Sequence, residues 1–219
     1  MKNKILVIAV HPDDETLGCG GTLLKSKANG DEIHWLICTT LNRKNSYFQI
    51  REKEIDKVSK LYKFNSVNKL PFETAKVDQY SVSEIIEKIS NIINKIKPNI
   101  IYLPFYEDPH SDHKRIFEAS YSCTKSFRYS FIKKIYMMET LSETEFSPSI
   151  NTISFIPNTF VDISDHMNKK IKIMKVYKSE INKHPFPRSE KNIRALASYR
   201  GSTSNCNFAE SFILLKQII

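Results

Sequence analysis

Two short apolar runs, Ile5-Leu6-Val7-Ile8-Ala9-Val10 and Ile100-Ile101-Tyr102-Leu103, constrain this chain more than any other feature. Runs of this length without polar alternation fit strands buried on both faces, the kind that parallel sheets use. The first breaks directly into His11-Pro12-Asp13-Asp14-Glu15. The second leads, a few residues on, into Asp108-Pro109-His110-Ser111-Asp112-His113. In an open α/β sheet, ligands bind in the crevice beyond the carboxyl ends of the strands. Two clusters of histidine and aspartate are therefore expected to face one crevice.

The remaining elements fit the same architecture. A helix is expected to begin at Gly20-Gly21-Thr22-Leu23-Leu24 and to stop near Asn29-Gly30, where glycine can take a left-handed conformation. Glu32 to Thr39 reads as a second strand, and apolar residues recur at helical spacing within Tyr47 to Tyr62. Ser81-Val82-Ser83-Glu84 is a capping box, followed by isoleucines at helical spacing and stopped by Pro98. A helix is also expected to start near His113. Lys134 to Met138 reads as a strand, 139 to 157 as loop, Asp165 to Lys183 as a helix and Ser189 to Ser198 as another. Strands alternating with helices imply a parallel sheet with right-handed crossovers. The expected fold is a single α/β domain over 1–219, a Rossmann-like three-layer arrangement whose mostly parallel sheet is flanked by helices.

Composition narrows the function classes. With 41% apolar and 26% charged residues the chain reads as an ordinary soluble globular protein. No stretch approaches the ~18 apolar residues needed to cross a bilayer, so integral membrane association is not expected and a cytoplasmic location is. Cys19, Cys38, Cys123 and Cys206 are far apart and read as ordinary buried thiols. The net charge of +9 comes mainly from lysines scattered over amphipathic segments, without a basic stripe interleaved with aromatics. Nucleic acid is therefore not the expected partner, whereas an anionic small molecule would be attracted. Oligomeric state is left open, and a homo-oligomer fits as well as a monomer.

The two clusters carry the chemistry. A neutral imidazole and a carboxylate are good zinc ligands, and a second carboxylate beside them can act on water. Gly20 and Gly21 belong to no phosphate-binding pattern and are read as close-packing positions. His34, His166 and His184 stand alone and read as structural or surface residues.

Together these motifs resemble those of the PIG-L/LmbE family of zinc-dependent N-acetylglucosaminyl deacetylases, with an A-H-P-D-D-E run after the first strand and H-x-D-H after a later one. The likeness extends to Gly20-Gly21-Thr22, Arg51 and Glu54, Val161-Asp162-Ile163, Arg200-Gly201 and Ala209-Glu210-Ser211-Phe212. Val10 replaces the usual Ala and Ser111 a common Pro, and neither change removes a functional side chain. The resemblance implies that His11, Asp14 and His113 hold one zinc per chain, other divalent metals being acceptable, with an open coordination position as in catalytic sites. It makes Asp13 the general base, since zinc can bring the pKa of water from about 15.7 to about 7. It makes His110 the group that stabilises the oxyanion. Whether His110 or Asp13 protonates the leaving amine stays open. Asp108 and Asp112 would orient the imidazoles through hydrogen bonds, or, for Asp112 almost equally, cap the helix. Arg51 would bind the sugar or an attached anion, or equally pair with Glu54 or Glu52.

The expected activity is hydrolysis of the N-acetyl group of a GlcNAc-type conjugate. The rivals are metal-assisted hydrolysis of another bond, such as a phosphoester, and a basic nucleic-acid-binding protein with structural metal.

Overall fold

The alternation of apolar runs and amphipathic segments produces, in order, β1 (Lys4–Ala9), α1 (Asp14–Ala28), β2 (Glu32–Thr40), α2 (Phe48–Tyr62), β3 (Ser66–Glu73), α3 (Val82–Ile96), β4 (Ile100–Leu103), α4 (Ser111–Ser122), β5 (Lys134–Met138), β6 (Thr159–Asp162), α5 (Met167–Met174), α6 (Glu190–Thr203) and β7 (Ala209–Gln217). This is a computed structural model, which describes residues 2–148 and 154–219. Among these residues one seven-stranded sheet runs β3-β2-β1-β4-β5-β7-β6. The five strands from β3 to β5 are parallel, and β7 joins β5 and β6 antiparallel. The strand order reverses between β1 and β4, which places a crevice at their carboxyl ends.

The single α/β domain and its mostly parallel sheet are as expected. Alternate residues of β1 feed opposite faces: Ile5, Val7 and Ala9 pack with Trp35 and Ile37, while Leu6 and Ile8 pack with Leu36 and Cys38. Leu17 and Leu23 of α1 and Ile171 of α5 cover the first face. Ile85, Ile89 and Ile93 of α3 and Ile116 of α4 cover the second. In α3 the Ser81 half of the capping box forms, with Glu84 N donating to Ser81 Oγ at 3.2 Å, and Lys97 ends the helix in a left-handed conformation (φ 53°).

Four readings change. The helix expected from Gly20 starts at Asp14 and is broken at Cys19, so Gly20 and Gly21 open its second segment. A Cβ on Gly21 would lie 2.7 Å from Ile163, which confirms a close-packing role. The helix expected through Lys183 stops at Met174; Tyr177 is fully buried from the following loop, which its apolar spacing does not distinguish from helix. The helix read to Ser198 continues to Thr203. Strands β3, β6 and β7 were not anticipated: β3 lies at the sheet edge, where it is only partly buried and tolerates Pro71. Of the loop expected at 139–157, residues 149–153 lie outside the described residues, and Thr144–Phe146 forms a 3₁₀ turn. All four cysteines are free. Among the described residues no helix is long and apolar enough to cross a membrane.

Candidate active site

The turn after β1 is held in an unusual shape. Asp13 occupies the position before α1 with φ 141° and ψ −25°, a left-handed conformation that costs roughly 1–3 kcal/mol for a residue with a side chain. Two contacts hold it there. Asp13 N donates to Glu15 Oε2 at 3.0 Å, and Arg51 donates to the Pro12 carbonyl at 2.9 Å. An aspartate at a helix N-cap usually accepts from the first turn, yet the Asp13 carboxylate makes no such bond. It is left free to face the cavity that it lines together with His11, Asp14 and His110. Burial, with Asp14 and Glu180 nearby, raises its pKa well above the usual carboxylate range, against the opposing pull of Arg188.

The second cluster meets the first at the strand crossover. His113 Nδ1 lies 2.8 Å from Asp108 Oδ2, while Thr144 Oγ1 donates to Asp108 Oδ1 at 2.8 Å. His11 Nε2 lies 3.1 Å from Asp112 Oδ2, which also accepts from Ala75 N at 2.7 Å; Val77 N donates to Asp112 Oδ1 at 3.1 Å. Each carboxylate thus occupies one nitrogen of a histidine. The other nitrogens, His11 Nδ1 and His113 Nε2, lie 4.0 and 3.5 Å from Asp14 Oδ2.

These three residues fit a divalent cation. His113 Nε2 is fully buried without a hydrogen-bond partner, and donor atoms of His11, Asp14 and His113 all lie within 4.8 Å of one another. Tetrahedral zinc with bonds near 2.0–2.1 Å has donors about 3.3 Å apart; the His113–Asp14 separation of 3.5 Å is close to this, and His11 at 4.0 Å stands somewhat wider. A carboxylate behind each ligating imidazole is the usual outer support of such a site. His11, His110 and Asp112 also approach one another, but there both Asp112 oxygens are held by the 75–77 backbone and His110 Nδ1 by Asp112 N, whereas among the described residues Asp14 accepts only from His11 N. Burial opposes charge on His113, yet Asp14 and Asp108 outweigh it and lift the imidazole to about 9 in the absence of metal.

His110 caps α4 through its own ring: Asp112 N donates to His110 Nδ1 at 3.1 Å. A ring that accepts at Nδ1 carries its proton on Nε2, and burial together with His11 lowers its pKa. The cap of α4 is therefore His110. Asp112, weighed above as a cap, spends both oxygens on His11 and the 75–77 backbone.

Arg51 lines the cavity, but its two terminal nitrogens donate to Pro12 O, Ser179 Oγ and Glu180, and its buried Nε lies 3.4 Å from Glu54 without a hydrogen bond. Of the two roles weighed for it, the pairing with Glu54 is present. Glu52 pairs with Lys69 instead. Four residues without an assigned role complete the surroundings. Glu15, raised to about 7 by burial, accepts from Thr16 Oγ1 at 2.6 Å and Tyr177 OH at 2.9 Å. Glu143, Glu180 and Arg188 line the cavity from segments after β5 and α5. Glu15 was visible as the end of the first motif; the other three carry no local signal.

Residues 6–124 match the family model described as PIG-L, GlcNAc-PI de-N-acetylase. The chain belongs to the PIG-L family. A diacetylchitobiose deacetylase of Thermococcus kodakarensis is 24% identical over 217 residues, 94% of this chain and 81% of that protein. The solved N,N′-diacetylchitobiose deacetylase of Pyrococcus horikoshii superposes with a TM-score of 0.78 at 22% identity, over 98% of this chain and 84% of that one. A 4-carboxy-2-hydroxymuconate hydratase from Pseudomonas putida has the same fold, with TM-score 0.75 and 14% identity over 100% and 98% of the two chains. The PIG-L fold thus occurs with more than one reaction, and the reaction must be argued from the site.

Proposed function

We propose that this PIG-L protein is a metal-dependent N-deacetylase that hydrolyses the acetamide of a GlcNAc-type sugar conjugate, releasing acetate and a free amine. The observation that carries this reading is the unspent Asp13 carboxylate beside three converging donors, one of them the orphaned His113 Nε2. His11, Asp14 and His113 would hold one zinc ion, with Asp108 and Asp112 fixing the two imidazoles. The cation supplies Lewis acidity toward water and toward the amide carbonyl.

Asp13 takes a proton from the attacking water. Burial beside Asp14 and Glu180 strengthens its hold on that proton. His110, neutral with its proton on Nε2, donates a hydrogen bond to the oxygen that becomes negative as the carbonyl carbon turns tetrahedral. A second proton on His110 would place two donors face to face at Asp112 N. His110 is thereby disfavoured as the acid, and Asp13 returns its proton to the leaving nitrogen. Arg51 positions the turn through the Pro12 carbonyl.

The test is acetate release from N-acetylated sugars by protein of known metal content. D13N is expected to keep its metal and lose about 10²–10⁴-fold in turnover. Normal turnover by D13N would overturn the assigned base, and phosphate release from phosphoesters without acetate release would overturn the reaction class.

A further inference from the structure

The cavity above the metal-binding residues differs in charge from the molecule as a whole. Its basic side chains are already paired: Arg51 with Glu54 and Glu180, Arg188 with Glu180 at 2.9 Å, and Lys69 with Glu52 at 2.7 Å. Asp13 and Glu143 line the same cavity and make no ion pair with a lysine or arginine among the described residues. A dication at His11, Asp14 and His113 balances the two aspartates. Glu143 then remains without an ion-pair partner in the cavity wall; burial raises its carboxyl to about 7, so an anionic group there meets repulsion once that carboxyl is ionised. The net charge of +9 is thus a property of the outer surface.

The cavity also continues beyond the space of one ring. Thr40, Leu41, Phe48, Glu52 and Lys69 belong both to it and to an adjoining groove, which runs between the β2–α2 loop and β3 past Leu70, Pro71 and Tyr80. Phe48 and Tyr80 are partly exposed there, and Thr40 and Asn42 add a hydroxyl and an amide. The acidic groups along the groove are paired as well, Glu73 with Lys76 at 2.8 Å. Arg43 lies at the exposed, solvated end. Aromatic faces beside uncharged polar groups suit a sugar ring, which presents C–H faces and hydroxyls together.

We infer that the substrate is an uncharged glycan of at least two units, whose second unit lies in the groove between the β2–α2 loop and β3, and that Glu143 disfavours anionic conjugates. This rests on the deacetylase reading for the first unit.

The test compares kcat/KM of the metal-loaded protein on N-acetylglucosamine, its N,N′-diacetylated disaccharide, N-acetylglucosamine 1-phosphate and a hydroxy-acid glycoside of N-acetylglucosamine. The disaccharide is expected to exceed each of the others by about tenfold or more. F48A and F48L should shrink its advantage over the monosaccharide, mainly through KM, and E143Q should raise the relative rate on both anionic conjugates. An anionic conjugate turned over as well as the disaccharide, or an undiminished disaccharide preference in both Phe48 variants, overturns the inference. Calorimetric titration of the disaccharide separates the two readings. Binding that F48A weakens, without acetate release from any compound, upholds the groove and overturns the deacetylase. Absence of binding overturns the groove.

Discussion

The chain divides into a half that supplies the clustered histidines and aspartates of the candidate site and a half that shapes their surroundings. Residues from β1 to α4 supply His11, Asp13, Asp14, Asp108, His110, Asp112 and His113, all within the turns after two neighbouring strands or the first turn of the helices that follow them. Residues from β5 onward supply Thr144 behind Asp108, Tyr177 behind Glu15, and Glu143, Glu180 and Arg188 in the cavity wall. The first half uses adjacent residues in sequence, whereas the second reaches the site one residue at a time from distant loops. Donors a few ångströms apart are supplied compactly by two short segments at neighbouring strand ends. Recognition surfaces need walls on several sides and so draw on the whole fold.

The division breaks most visibly at the metal. H113A is expected to abolish metal retention, read by elemental analysis of purified protein, while D108N, which removes only the partner of His113 Nδ1, should weaken metal affinity by about 10–100-fold. Equal metal content in H113A and the parent would break the assignment of ligands to the first half.

A smaller effect tests how far the second half supports the first. Glu210 of β7 accepts from Gly21 N and Thr22 N at 2.7 Å each and from Lys170 Nζ at 2.7 Å, and Lys170 also donates to Leu17 O. This nearly dry pair joins α5 and β7 to the break in α1, the helix that begins with Asp14. K170M leaves Glu210 buried without its cation, and denaturant unfolding should show a loss of about 3–5 kcal/mol. A loss under about 1 kcal/mol would mean that the two halves are less tightly joined than the contacts imply.

The smallest effect concerns the cavity wall. Burial raises Glu180, but Ser179, Arg51 and Arg188 outweigh it and leave its pKa lowered. A carboxylate lowered in the folded state contributes stability that is present above its unfolded pKa of about 4.3 and is lost as pH falls through the folded value. E180Q should therefore be about 1–2 kcal/mol less stable than the parent near pH 7, and the difference should shrink as pH falls below the unfolded value. A difference that grows on acidification would show that Glu180 is not the anchor of the two arginines.

The sequence by itself determined the sheet, its central strands and the two clusters of donors. Buried parallel strands are continuous apolar runs, and polar residues crowded behind them have few structural uses, so Ile5–Val10 with His11–Glu15, and Ile100–Leu103 with Asp108–His113, carried their meaning locally. The amphipathic α3 was legible for the same reason, since its period and its cap lie within one segment. Tertiary structure alone decided which side chains were free. Asp13 sits where an aspartate normally caps, and only the folded turn shows its carboxylate unspent while His110 does the capping of α4. It also decided that Arg51 faces Glu180 and Pro12, that Tyr177 leaves the helical register, and that Glu143 and Arg188 close the cavity. These depend on contacts between residues tens to more than a hundred positions apart, which no local period or spacing encodes.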